Sequence, residues 1–282
     1  MIRICSDSTC DLSDELVKEF GITIFPLHIL LGDKEYRDRA EITQEEIFEW
    51  ADKNKTTPKT SAVSVPDAVA VIKPFLDAGD ELVIFTISGT MSTTLNVFNM
   101  VAEDLDATDR IHVIDSMNLS TGIGLLVLEA ACMAREGLTG EEIVKQIERI
   151  RPKVRASFVI DTLSYLARGG RCSTVAALTG GVLRIHPKIV VKDGKMEVSK
   201  KYRGNIKNVV MDYVNDMHYA LLEAQPQRVF ITHTSADREL VEEVRAYLEG
   251  LGHFDNIYET RAGGVVSSHC GPGTLGVLFI EG

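Results

Sequence analysis

The stretch "SSHCGPGTLG", residues 267–276, sets a histidine beside a cysteine and follows them with Gly-Pro-Gly-Thr. Such a pair could supply a nucleophile and its base, a donor to an anion, or only a turn. Of the seven histidines, His269 alone lies in a glycine-rich segment leading into a strand. His28 and His112 fall in apolar runs, His186 precedes a proline and His218 sits in a helical pattern, so these read as structural. His233, ending a strand, is the second candidate. Cys270 and Ser88 are the nucleophiles to set against His269. No G-x-S-x-G elbow surrounds a serine, however, and neither a phosphate-binding G-x-x-x-x-G-K-[ST] loop nor a protein-kinase signature occurs.

Hydroxyls crowd the segments that follow apolar strands: "SDST" after "RIC", "TISGT" after "ELVIF", "DSMNLSTG" after "RIHVI", with Thr60, Ser61 and Ser64 in "KTSAVS". Ser8, Thr9, Asp11 and Ser13 read as caps of the helix that follows, and Ser64 as the cap before Val65-Pro66. Gly89, between a strand and a helix, would let backbone N–H groups face an anion.

Elements that position these residues alternate along the first half. Apolar strands ("IRICSDS", "ITIFPLHILL", "ELVIFTIS", "RIHVIDS") interleave with amphipathic helices, among them "TQEEIFEWADKN" with a capping box from Thr43 to Glu46 and "VPDAVAVIKPFLDAG", expected to bend or end near Pro74. This is the pattern of an α/β domain whose parallel sheet is covered by helices, assigned to residues 1–153. Residues 154–282 read as a second α/β domain containing a hairpin about Asp193-Gly194 and a final strand "GTLGVLFIE". Ligands of open parallel sheets sit beyond the carboxyl ends of the strands, which are the hydroxyl-rich segments here.

Forty-one acidic against 30 basic residues give a net charge of -11, which argues against nucleic-acid binding. No apolar stretch is long enough to span a membrane and no signal peptide is expected, so the protein is placed in the cytoplasm without stable membrane insertion. The five cysteines form no CxxC pair and read as reduced thiols, Cys5 and Cys132 as small buried hydrophobes; no metal site is expected.

Taken in order, "SDSTCDL" (6–12), "TSAVS" (60–64), "SGT" (88–90), "DS" (115–116), "LSYLARGGR" (163–171), "KDGK" (192–195) and "HCGPGTLG" (269–276) span the chain. This set resembles the DegV family, the fatty-acid-binding subunits of bacterial fatty acid kinase. The resemblance implies a two-domain α/β fold with a long-chain fatty acid between the domains and no other cofactor. It also implies that a separate kinase subunit phosphorylates the bound carboxylate to an acyl phosphate. Thr60, Ser61, Ser88, Gly89 and His269 match the fatty-acid-binding positions, with His269 holding a hydroxyl rather than attacking. Arg168, Arg171 and Arg203 match the regions assigned to kinase docking. Met91 stands where the family often carries an aromatic residue. Two other readings stay open: an acyl hydrolase or transferase using Ser88 or Cys270 with His269, and a lipid-sensing regulator with no kinase.

Overall fold

The first apolar run becomes β1 (Ile2–Asp7), and three further strands align parallel to it in the computed structural model, which describes residues 1–176 and 185–282. The order is β2 (Thr23–Phe25), β1, β6 (Glu81–Thr86), β7 (Ile111–Asp115). β2 lies on one side of β1 and β6 on the other, so the winding reverses between β1 and β6, the point at which such sheets open a ligand crevice. Asp7 stitches the two strand ends together: Oδ1 accepts from Thr9 N at 3.0 Å and Oδ2 from Ile87 N at 2.7 Å.

The apolar run "ITIFPLHILL" is divided at Pro26. β2 ends before it, and β3 (His28–Leu31) joins β4 (Lys34–Arg37) and β5 (Lys59–Ser61) in a small antiparallel sheet, order β4-β3-β5. Proline has no N–H to continue a ladder, which explains the change of partner there.

The second half builds a six-stranded mixed sheet. Its order is β10 (Lys195–Arg203), β9 (Ile185–Lys192), β8 (Val154–Val159), β13 (Thr274–Glu281), β11 (Ala224–Thr234), β12 (Ile257–Arg261). Only β11 and β12 run parallel. The hairpin about Asp193-Gly194 forms as expected, with Lys192 opposite Lys195 and φ of 49° and 76° at the two turn residues. Both angles are positive, as the twist of a two-residue hairpin requires.

Helices α1 (Asp14–Phe20), α2 (Gln44–Asn54), α3 (Val65–Asp77), α4 (Thr94–Asp104), α5 (Thr121–Arg135) and α6 (Gly140–Ile150) belong to the first half. In the second half are α7 (Leu163–Gly169), α8 (Ser173–Ala176), α9 (Ile206–Asn215), α10 (His218–Leu222), α11 (Arg238–Gly250) and α12 (Gly264–Cys270). Helix α3 runs through Pro74 instead of stopping. Ala70 and Pro74 are both exposed, so the carbonyl that loses its partner faces water. Helix α5 is apolar all round, as its sequence "TGIGLLVLEAACMAR" dictates, and packs against β1 and β6 on one side and β8 and β13 on the other. The largest apolar cluster therefore includes Phe85, Leu126, Phe158 and Ile280, joining both halves in one core.

Candidate functional site

A cavity of about 550 Å³ opens beyond the carboxyl ends of β1 and β6. Its size falls within the range of small-molecule sites. Leu27, Ile87, Leu119, Met196, Val265 and Val266 supply its apolar walls. Its polar lining comes from Thr60 and Ser61 on β5, from Gly89, Thr90, Ser92 and Thr93 ahead of α4, and from Arg171 and His269. Residues from both halves thus face one space.

His269 lies not in a glycine loop but in the last turn of α12, a helix that the sequence patterning did not disclose. Its Nε2 stands 2.8 Å from Thr60 Oγ1. Its Nδ1 is buried without a partner among the described residues, beneath Gly169, where a Cβ would come within 2.5 Å of that nitrogen. Thus the glycine of "LARGG" lets the end of α7 close over the imidazole. Burial, and then the positive charge of Arg171, push the His269 pKa down to about 4, so the ring is neutral near pH 7. A proton on Nδ1 would be a buried orphan donor, which fixes the other tautomer: Nε2–H donates to Thr60. The Thr60 hydroxyl proton is then free to point into the cavity.

Ser88, expected among the carboxylate's donors, turns away from the cavity. Its Oγ donates to Gly194 O at 2.8 Å and lies 3.2 Å from Thr90 Oγ1. The hairpin turn of the second half presses against it, since a Cβ at Gly194 would fall 2.6 Å from that oxygen. Ser88 therefore latches the loop ahead of α4 to the β9–β10 hairpin. Gly89 lines the cavity, and its N–H is directed to Asp115 at 3.2 and 3.3 Å. Thr93, which the sequence reading passed over, is the N-cap residue of α4, and its side chain makes no capping bond. Thr93 is exposed and lines the cavity beside the helix terminus. The missed signal was the fourth hydroxyl of "SGTMSTT", further along than the serine that the motif emphasises.

The three arginines separate. Arg171 lines the cavity and bridges two loops, donating to Gly169 O at 2.7 Å and to Met91 O at 3.5 Å. Arg168, in α7, and Arg203, ending β10, are exposed and line no part of the cavity. Neither pairs with a carboxylate among the described residues.

The N-terminal hydroxyls and carboxylates divide their tasks otherwise than by simple capping. Ser13 caps α1 and Ser64 caps α3, as their spacing indicated. Ser8 instead donates to Asp38 at 2.7 Å and accepts from Leu27 N at 3.1 Å, while Asp11 reaches Gly263 N, 252 residues away, at 2.7 Å. Asp7 and Asp11 are wholly buried; burial above all raises their pKa to about 6 and about 7, respectively.

A nucleophile–base arrangement is not assembled from the expected residues. Cys270 is buried and its thiol is pushed up to about 12, chiefly by burial. His269 meets Thr60 rather than a serine or cysteine, and among the described residues nothing orients its Nδ1. His233 is buried, with Nε2 3.5 Å from Glu259 Oε1 and no hydrogen-bond partner for Nδ1 among the described residues. Among the described residues no cluster of His, Cys, Asp and Glu could hold a metal, and no helix is long and apolar enough to cross a membrane. The cavity is instead suited to an amphiphile with a hydrogen-bond-accepting head and an apolar body.

Comparison with known proteins gives the same picture. The model of the DegV family, described as "Uncharacterised protein, DegV family", matches residues 1–282. A DegV domain-containing protein of Caldanaerobacter subterraneus subsp. tengcongensis is 33% identical over 282 residues, covering 99% of each chain. Among solved structures, a DegV family protein from Thermus thermophilus, described by its fatty acid binding, superposes with a TM-score of 0.91 at 29% identity and covers 99% of both chains. A stearic acid-binding protein from Eubacterium ventriosum gives 0.84 at 29% identity, covering 100% of this chain and 98% of the other. With a whole-length family match and a relative above 30% identity, the chain belongs to the DegV family.

Proposed function

We propose that this protein binds a long-chain fatty acid in the cavity between its halves and presents the carboxylate to a separate kinase subunit, which converts it to an acyl phosphate. One observation carries the binding part: a neutral His269 holds Thr60 at 2.8 Å at the polar end of an apolar cavity. Thr60 and Thr93 donate to the carboxylate, Arg171 neutralises it, and Ser61 and the Gly89 backbone border it. Ser88 acts at one remove, by holding the loop. Fatty acid binding by the similar Thermus thermophilus and Eubacterium ventriosum proteins supports the ligand class.

Affinity is set by the tail, at about 0.8 kcal/mol per buried methylene. Each charge-assisted hydrogen bond adds only about 1.5–3 kcal/mol. Neither a G-x-x-x-x-G-K-[ST] loop nor a protein-kinase signature occurs in the chain, which supports a partner as the source of the phosphoryl group. Exposed Arg168 and Arg203 are the docking residues, since guanidinium forks recognise carboxylates on a partner. The work is assigned to the cytoplasm, where ATP-dependent kinases act.

Denaturing the purified protein, extracting with organic solvent and weighing the extract tests the binding claim. A long-chain acid near one equivalent is expected. Protein that is repeatedly empty and that also refuses added palmitate contradicts it. Turnover of p-nitrophenyl esters by the wild type, abolished in Ser88→Ala, would establish the hydrolase reading instead.

A further inference from the structure

Helix α12 carries four walls of the cavity, Val265, Val266, His269 and Cys270. Its first turn, however, is held by the other half of the chain. Asp11 Oδ1 accepts from Gly263 N and Asp38 Oδ1 from Gly264 N, each at 2.7 Å. Hydroxyls aim both carboxylates: Ser120 donates to the second oxygen of Asp11 at 2.6 Å, and Ser8 to that of Asp38 at 2.7 Å. Gln44 adds a bond from its side-chain N–H to Ala262 O. The helix start is also sunk into the first half's apolar core, for a Cβ at Gly264 would lie 2.5 Å from Ile29 Cδ1 and 2.7 Å from Ile47 Cδ1.

Asp11 and Asp38 are 2% and 1% exposed. Burying two carboxylates side by side is costly, and a single serine at the N-cap would satisfy the same helix end. What the pair provides is a fixed attachment across the two halves. At the far end of the same seven-residue helix, His269 reaches Thr60 on β5. Helix α12 is thus a short strut pinned to the first half at both ends, and the carboxylate end sets where the imidazole arrives.

We propose that Asp11 and Asp38 are positioning residues for the ligand site: they seat α12 so that His269 meets Thr60. The proposal rests on the cavity being a carboxylate-binding site. Neither residue lines the cavity, so both act through the helix. The hydrogen-bond acceptor is the part that matters, since a glycine N–H needs only an oxygen to receive it.

The experiment uses the full chain labelled with 15N-histidine. It reads the His269 imidazole resonances without ligand and, separately, the affinity for palmitate. Asp11→Ala and Asp38→Ala should shift the His269 resonances away from their hydrogen-bonded values and weaken palmitate binding roughly tenfold, the scale of one lost charge-assisted bond. Asp11→Asn and Asp38→Asn keep an acceptor oxygen, and their amides can donate to the serine hydroxyls, so both readouts should return toward wild type. Ser13→Ala, which removes the local cap of α1, should lower the melting temperature and leave both readouts unmoved. Folded alanine variants with an unshifted His269 and wild-type affinity would overturn the proposal. Should the alanine variants fail to fold, Ser8→Ala and Ser120→Ala decide. Ser120→Ala removes only the aiming hydroxyl, and Ser8→Ala also removes the acceptor of the Leu27 N–H; both should move His269 in part, and an unmoved His269 in both overturns the proposal. If His269 moves as described while even the wild type refuses palmitate, the positioning role stands and the ligand assignment falls.

Discussion

At the scale of single residues, the site turns on a hydroxyl held by an imidazole. Thr60→Val keeps the shape of the side chain and removes its oxygen. Palmitate binding should weaken by about ten- to a hundredfold, the equivalent of about 1.5–3 kcal/mol, with little change in melting temperature. His269 also leaves a mark on stability. Its folded-state pKa of about 4 lies below the ordinary 6.5, so its contribution is fully present above pH 6.5 and is lost as pH falls toward 4. Compared with His269→Gln, the wild type should therefore lose on the order of 2 kcal/mol between pH 6.5 and 4, measured by denaturant unfolding at each pH. Asp11 runs the other way. Its folded pKa is raised to about 7, so its contribution is full below 3.8 and fades as pH rises through 7. Asp11→Asn should gain on the wild type across that rise, and a stability difference that is flat with pH would refute the assignment. Thr60, Gly89 and His269 were legible because their types and order are distinctive. Thr93 was not, because a threonine before a helix reads as an ordinary cap until the cap bond proves absent.

Among the elements, two glycines determine how closely segments approach the site. Gly169→Ala would bring a methyl group against His269 Nδ1. Its effect should fall on ligand affinity rather than on folding, because α7 can otherwise accommodate alanine, a strong helix former. Gly194→Ala faces both a φ of 76° and the Ser88 oxygen. Destabilisation of about 1–3 kcal/mol should result, measured by urea unfolding, and a neutral outcome would show that the hairpin does not press on the Ser88 loop. Strands and long helices were legible from period and from caps such as Thr43 and Ser64. Helix α12 was hidden, because "GGVVSSHC" opens on two glycines and spans only seven helical residues. Its N-terminal partners lie more than two hundred residues away, beyond the reach of any local pattern. The sheet β4-β3-β5 escaped for a related reason: β5 is three residues long and pairs across the intervening helix α2.

At the scale of the whole molecule, the proposed holding and handing on of the lipid fall to different places. The cavity and its hydroxyls lie between the halves, whereas Arg168 and Arg203 stand exposed outside it. Arg168→Ala and Arg203→Ala should keep full fatty-acid content while acyl phosphate formation with purified kinase falls. The loss should be larger at low salt, where charge steering is least screened. Parallel loss of lipid and turnover would make these arginines structural. The fold class could be read from strand–helix alternation, but not the fusion of both halves into one core through α5, which only packing reveals. The central claim is that a fatty acid's carboxylate lies against Thr60 and His269. Adding palmitate labelled with 13C at its carboxyl carbon and recording its spectrum tests this most directly. One bound carboxyl resonance is expected, distinct from free palmitate at one equivalent, that moves in Thr60→Val and in His269→Gln. A spectrum showing only free palmitate, or a bound resonance indifferent to both substitutions, would contradict it.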